Sequence, residues 1–276
     1  MVRDRALVPG IVNVPPDSFS DGGDHLDPAQ AETAARAMIE AGADLLDVGG
    51  ESSRPGAAPV SEADELARVL PVVERLVPLG VPGAVDTRRA AVARAVLGSG
   101  AAIVNDITGL GDPAMVHAVR EFGAGAVIMH MQGTPTTMQQ RPAYTDVVSE
   151  VARFLEDRAR AAENQGVPRE CLVVDPGIGF GKLLDHNLAL LAGLGELARA
   201  GYPVLVGASR KRFLGELTGV KEPKDRVAGS VAAAVAARMR GASVVRVHDV
   251  GPTRQALDVV DAIREREAAP GQESLL

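Results

Sequence analysis

Residues Cys171 to Gly177 read C-L-V-V-D-P-G: a short β-rich apolar run, a carboxylate at its C-terminal end, then a Pro-Gly turn. The same design recurs along the whole chain. Strand-like runs fall at about 7–13, 44–48, 82–86, 102–106, 125–130, 171–175, 203–207 and 243–247. Each is followed by a polar residue able to do chemistry: Asn13, Glu51, Asp86, Asn105, His130, Asp175, Lys211 and His248. Between the runs lie longer stretches of helical periodicity rich in Ala, Leu, Glu and Arg, such as Ala29–Ala41 and Glu62–Leu76. Strands alternating with helices imply a parallel sheet, because a parallel pair needs a crossover connection. Eight such units predict an α/β fold closed as a (β/α)8 TIM barrel, a single domain over residues 1–267. In such a barrel the C-terminal ends of the strands converge, so residues distant in sequence meet around one small molecule.

The composition agrees with one domain of enzyme size. The chain has 276 residues, 46% of them hydrophobic, with a mean hydropathy of +0.07, enough for a large core. Its 29 Lys and Arg against 36 Asp and Glu give a net charge of −7. No global basic field draws in nucleic acid or an acidic membrane, and an anionic ligand must be held by local cations. Aromatic residues make up only 3%, with no Trp, which argues against a stacking surface for single-stranded nucleic acid. A lone Cys171 excludes an intrachain disulfide framework and a multi-cysteine zinc site, and is read as a small buried hydrophobe. No stretch approaches 18 consecutive apolar residues, and M-V-R-D-R-A lacks the apolar core of a secretory signal, so a cytoplasmic location is expected.

Helix starts are legible at Asp27-Pro28, Asp112-Pro113 and Gly251-Pro252, each placing a cap residue before a first-turn proline. The loops 14–27, 49–61, 131–144, 176–185 and 208–224 are long, whereas helix-to-strand connections are short, which marks the expected catalytic face. The tail A-A-P-G-Q-E-S-L-L after Glu267 carries no pattern and is expected to be disordered or loosely docked.

Asp86 in V-D-T, Asn105 and Asp106 in V-N-D-I, and Asp175 in V-V-D-P-G would sit just inside the barrel mouth, where a desolvated acceptor is costly unless hydrogen-bonded. A flat heterocycle bearing several N–H groups would satisfy Asp86, Asn105 and Asp175 together, while Asp106 is read as a cap for the following turn. Arg246 and His248, two apart, would face the same way and could grip one anionic group. Together with S-R-K at Ser209–Lys211 they follow the last two runs, where barrels of this type commonly bind phosphate. G-I-G-F-G-K at Gly177–Lys182 has neither P-loop nor dinucleotide-binding spacing and reads as a mobile loop. N-V-P-P-D-S-F-S-D-G-G suits a lid, with Asn13 at its root able to bind a metal or a phosphate oxygen. His130 lacks the spacing of a zinc site and reads as a packed histidine, while His25, His117 and His186 carry no assigned role.

Taken in order, G-I-V-N-V-P-P-D-S-F-S-D-G-G (10–23), G-G-E-S-S-R-P-G-A (49–57), V-D-T (85–87), V-N-D-I (104–107), M-H-M-Q-G-T-P (129–135), D-P-G-I-G-F-G-K (175–182), G-A-S-R-K (207–211) and R-V-H-D-V (246–250) resemble dihydropteroate synthase, the folate-pathway transferase. The resemblance spans about Gly10 to Val250. It implies condensation of p-aminobenzoate with 7,8-dihydropterin-6-ylmethyl diphosphate to 7,8-dihydropteroate and diphosphate, with Mg2+ as cofactor and a homodimer as assembly. By position it assigns Asp86, Asn105, Asp175 and Lys211 to the pterin ring, and Asn13, Arg246 and His248 to the diphosphate, with the metal near Asn13. Phe19, Ser53, Arg54, Pro55 and Lys211 fall to p-aminobenzoate, and Asp21 closes over the site. The catalytic set it implies is Asp21, Lys211, Arg246 and His248.

Three positions depart from the family pattern: Pro15 where Thr is usual, Ser53 where Thr is common, and Arg212 where a small residue is frequent, the last expected to add bulk and charge at the p-aminobenzoate entrance. A methyltetrahydrofolate corrinoid methyltransferase would share the barrel and the pterin cluster but has no use for a diphosphate grip. A noncatalytic pterin-binding paralogue is the second alternative, motivated by Pro15 and Arg212. For the dimer, the small apolar stretch Val227–Ala237 is one candidate surface; packing on the barrel is the other reading.

Overall fold

The computed structural model describes residues 5–13, 27–52 and 56–268. Its eight strands are β1 (Pro9–Asn13), β2 (Leu45–Gly49), β3 (Gly83–Asp86), β4 (Ile103–Asp106), β5 (Gly125–Met129), β6 (Leu172–Asp175), β7 (Val204–Val206) and β8 (Ala242–Val245). They lie side by side in sequence order, all parallel. The sheet closes on itself where Ile11 N–H donates to Val247 O (3.0 Å) and Val247 N–H to Pro9 O (3.0 Å). This is the (β/α)8 barrel that the alternation of runs implied.

Around it the described residues form α1 (Pro28–Glu40), α2 (Glu62–Leu76), α3 (Ala90–Gly98), α4 (Pro113–Phe122), α5 (Val147–Asn164), α6 (Leu184–Ala192), α7 (Leu194–Ala198), α8 (Arg212–Thr218), α9 (Val227–Met239) and α10 (Val250–Ala268). The caps of α1 and α4 are those expected: Asp27 and Asp112 accept from Ala29 N–H (3.1 Å) and Ala114 N–H (2.8 Å), and Pro28 and Pro113 occupy first-turn positions. The third expected start is displaced. α10 begins at Val250, so Pro252 is its third residue rather than its first. α10 also runs to Ala268, one residue past the expected domain end; the rest of the tail lies outside the described residues. Cys171 is half-buried just before β6, packed against the main core, rather than fully enclosed.

A period of two along each strand explains what lies inside the barrel. Val127, Leu205 and Val244 form an apolar cluster with Ile103 and Val173 packed on it. Two residues further along those five strands stand Met129, Gly207, Arg246, Asn105 and Asp175. One layer is thus apolar and the next, toward the C-terminal mouth, is mostly polar. The opposite strand faces, with Val104, Ala126, Ile128, Leu172, Val174 and Val206, build the larger core against the helices. Asp106, adjacent to Asn105, points outward by the same rule. It accepts from Thr108 N–H and Oγ1 (both 2.7 Å) and Leu110 N–H (3.0 Å), which is the turn-capping role read for it.

Candidate active site

The mouth brings together Asn13, Asp86, Asn105, Asp175, Lys211, Arg246 and His248 at or just beyond strand ends. Asp86 and Asn105 are register partners on β3 and β4. Asp175 closes β6, and its Oδ1 accepts the Gly177 N–H at 2.7 Å. Burial pushes the Asp175 carboxyl above the usual range, against the pull of Lys211. Burial likewise raises Asp86, to about 7, with Arg246 opposing and the negative charges of Asp47, Glu65 and Asp106 reinforcing.

Lys211 is the N-cap residue of α8. Its ammonium donates to Ile178 O and lies 4.2 Å from the centre of the Phe180 ring. Desolvation lowers its pKa to about 8, although Asp175 works in the other direction. The segment 177–182 that supports it is not the mobile loop expected from its glycines. Ile178 is fully buried, Gly179 N–H donates to Asn187 Oδ1 (2.6 Å), and Phe180 N–H donates to Gly177 O (3.0 Å). Gly177 has φ +66°, and a Cβ there would stand 2.0 Å from His130 O, so only glycine fits.

Beneath this loop Lys182, 3% exposed, donates to His130 Nδ1 (3.0 Å), His130 O (3.3 Å) and Phe180 O (2.9 Å). Burial lowers Lys182 to about 7. His130 falls to about 3 through its own burial and the neighbouring ammonium. With Phe154 edge-on at 4.9 Å, His130 is the packed histidine that its spacing implied.

Arg246 and His248 both lie beyond β8, which ends at Val245, and hold different partners. Arg246 turns inward to Asp47, with Asp86 Oδ2 3.5 Å from its Nη2. His248 instead meets Ser209 Oγ through Nδ1 at 3.0 Å. Within S-R-K, Arg210 sits in the left-handed region (φ 59°), and its Nε donates to Asp249 Oδ2 at 3.0 Å, stitching the loops after β7 and β8 together. Its guanidinium is therefore a brace, and Lys211 alone of that trio sets a cation near Asp175 and Asp86.

On the other side, Glu51 anchors the loop after β2. It accepts from Val60 N–H (3.1 Å), Arg88 Nε (3.2 Å) and Arg89 Nη1 (2.9 Å), and Arg89 also pairs with Glu65, which is 0% exposed. A cavity of about 210 Å³ lies here, lined in part by Glu51, Ser52, Asp86, Arg88 and Thr134. Arg212, expected to add bulk and charge at the p-aminobenzoate entrance, has a side chain that is 88% exposed and pairs with Glu216 at 2.7 Å. Pro15, Phe19, Asp21, Ser53, Arg54 and Pro55 lie outside the described residues.

Asp47, Glu65, Arg89 and Lys182 are the site residues that the strand-end reading did not reach. Asp47 had a signal. A carboxylate in the middle of the apolar run L-L-D-V-G has no reason to be there unless it faces a polar interior.

The family model described as pterin binding enzyme matches residues 9–248. Dihydropteroate synthase of Escherichia coli K12 is 49% identical over 256 residues, covering 92% of this chain and 90% of that protein. That of Neisseria meningitidis serogroup B is 47% identical over 266 residues, covering 94% and 93%. Among solved structures, Xanthomonas albilineans dihydropteroate synthase with 4-aminobenzoic acid superposes with a TM-score of 0.90 at 49% identity, covering 98% of this chain and 96% of that one. The Burkholderia cenocepacia enzyme complexed with 7,8-dihydropteroate gives 0.87 at 49% identity, covering 96% and 93%. With a barrel mouth of buried acceptors beside Lys211 and Arg246, and likeness of this extent in sequence and structure, the chain belongs to the pterin binding enzymes, among the dihydropteroate synthases.

Proposed function

We propose that the mouth of this barrel performs the family's condensation with the residues named above, joining p-aminobenzoate to 7,8-dihydropterin-6-ylmethyl diphosphate in folate biosynthesis. The observation that carries the assignment is the interior polar layer: Asp86, Asn105 and Asp175 offer acceptors to the N–H groups of the pterin, beside the Lys211 ammonium. Asn13, Arg246 and His248 take the diphosphate, and Arg246 leaves its carboxylate partners in part to do so. Asn13 is a single amide on β1, and no group of three His, Cys, Asp or Glu able to hold a metal occurs among the described residues. Such a donor set fits a hard, oxygen-seeking ion that keeps most of its other ligands from water and phosphate. Asn13 would hold Mg2+ through its amide oxygen, and the ion, when bound, neutralises charge on the leaving diphosphate.

The reaction is a dissociative substitution. The bond from the exocyclic carbon to oxygen breaks, its electron pair leaves with the diphosphate, and the ring delocalises the cation, which the negative charges of Asp86 and Asp175 stabilise. The aniline nitrogen then attacks the carbon and releases a proton to solvent. Asp21 is assigned the same stabilising part from the lid, and Phe19, Ser53, Arg54 and Pro55 shape the p-aminobenzoate site with Lys211; these assignments rest on the resemblance. A homodimer in the cytoplasm completes the proposal. α9 turns Ser230, Ala233, Ala234 and Ala237 onto its own barrel, whereas Met239, Val259 and Ile263 are exposed around α9 and α10 and offer an apolar surface for a second copy.

The test is a condensation assay, with and without Mg2+, that follows diphosphate and dihydropteroate together. Equal amounts of both products are expected. Pterin binding with neither product would overturn the assignment in favour of a noncatalytic pterin-binding protein.

A further inference from the structure

We propose that Asp47 is a positioning residue: it fixes which way the Asn105 amide faces and links that amide to Arg246, so pterin recognition depends on a carboxylate behind the groups that touch the ring. The inference rests on the placement of Asn105 against the pterin. Asp47 lies mid-strand in β2 and is 2% exposed. Its Oδ2 accepts from Asn105 Nδ2 at 3.2 Å and from Arg246 Nε.

The two ends of a side-chain amide are nearly the same size, so its neighbours must decide its orientation. A carboxylate paired with a guanidinium only accepts. Turning Asn105 Oδ1 toward it would set two acceptors against each other, so Nδ2 faces Asp47 and Oδ1 faces away. That Oδ1 is buried and has no hydrogen-bond partner among the described residues. Asn105 therefore presents one acceptor and one remaining N–H in a set order. The 2-aminopyrimidinone edge of a pterin carries N–H donors next to a ring-nitrogen acceptor and needs both. Asp86 and Asp175, as carboxylates, supply acceptors alone.

Stability does not account for an acid here. Asp47 Oδ1 is itself buried without a partner among the described residues, an arrangement that costs free energy and that an apolar residue would avoid. The shared Oδ2 also joins the two halves of the site, since Arg246 reaches Asp86 Oδ2 at 3.5 Å from the same guanidinium.

The experiment is a double-mutant cycle on folded protein, with binding of 6-hydroxymethyl-7,8-dihydropterin read by calorimetry. That ligand lacks the diphosphate, which separates the ring from the anion grip. Asp47→Asn keeps the shape but lets the amide at 105 face either way. The dissociation constant is expected to rise about tenfold, the size of one lost hydrogen bond, with KM for p-aminobenzoate unchanged. The same substitution on an Asn105→Ala background is expected to add nothing, because the effect acts through that amide. Asp47→Glu, which keeps the charge but displaces the carboxylate, gives a second reading of the cycle if Asp47→Asn does not fold. Equal losses in both backgrounds, or no loss in either, would overturn the proposal. If Asn105→Ala alone left pterin binding intact, the pterin-site assignment would fail instead.

Discussion

Lys182→Met should change how stability depends on pH, and by an amount the structure sets. Lys182 is 3% exposed, and burial holds its ammonium at about 7 against 10.5 for a free lysine. The folded protein therefore binds fewer protons at this group than the unfolded chain between pH 7 and 10.5. Stability rises with pH wherever the unfolded state holds the extra proton, so Lys182 is most destabilising below pH 7 and progressively less so up to 10.5. At about 1.4 kcal/mol per tenfold change in proton affinity, the full span amounts to about 5 kcal/mol. Methionine fills similar volume without a charge and gives up the bonds to His130 Nδ1, His130 O and Phe180 O. That loss is largely independent of pH. Urea unfolding of wild type and variant, followed by circular dichroism at intervals from pH 6.5 to 10, reads the lysine together with the groups coupled to it, since titrating groups remote from Lys182 cancel in the difference. Wild type should gain on the variant steadily above pH 7, by several kcal/mol in all. A difference that stays level would show that the charge is not desolvated and would refute the account of the loop.

Three further outcomes follow from the site. The kcat/KM for the pterin diphosphate should be bell-shaped: it falls below pH about 7 as Asp86 takes up a proton and stops accepting, and above pH about 8 as Lys211 loses its charge, so a level profile from pH 6 to 9 would contradict both roles. Arg246→Met should lower kcat/KM for the diphosphate by roughly a hundredfold or more while leaving the circular dichroism spectrum intact. Asp106→Ala should cost about 2–3 kcal/mol in urea unfolding, because Thr108 and Leu110 lose their acceptor, yet change KM for either substrate by less than about twofold.

The alternation of runs and helices was enough to read the barrel, because a parallel strand must be apolar on its outer face and must end where the loop begins. Asp86, Asn105 and Asp175 were legible for the same reason, each lying at the end of a run, and Lys211 because it closes the loop after β7. What stayed hidden were partnerships across the barrel. Arg246 and His248 share a parity in sequence, but the strand ends before them and their side chains find different partners, Asp47 and Ser209. Glycines in 177–182 suggested movement, whereas Gly177 is there because His130 O lies too close for a Cβ. Arg212 looked intrusive as a letter, yet the first turn of α8 carries its side chain into solvent. The misses at Arg246 and Gly177 are long-range contacts, about which local pattern carries little information; that at Arg212 turns on which face of α8 the residue takes.

The closing seam of the barrel has a consequence for how the protein is made. The chain around β1 meets the chain around β8 through bridges at Leu7–Val244 and Gly10–Val247, and the segment before β1 is tied down by α10, where Asp261 Oδ2 accepts from Ala6 N–H (2.9 Å) and Arg254 donates to Ala6 O (2.8 Å). Arg246 and α10 are made after every strand of the barrel. A nascent chain released early would hold Asp86, Asn105 and Asp175 in a half-built cylinder, with no counter-charge for Asp47 and an unpaired β1 edge. Synthesis from Arg246 through α10 is therefore the step that both shuts the fold and arms the site, and chains stalled before it are the ones a cell must clear or shield.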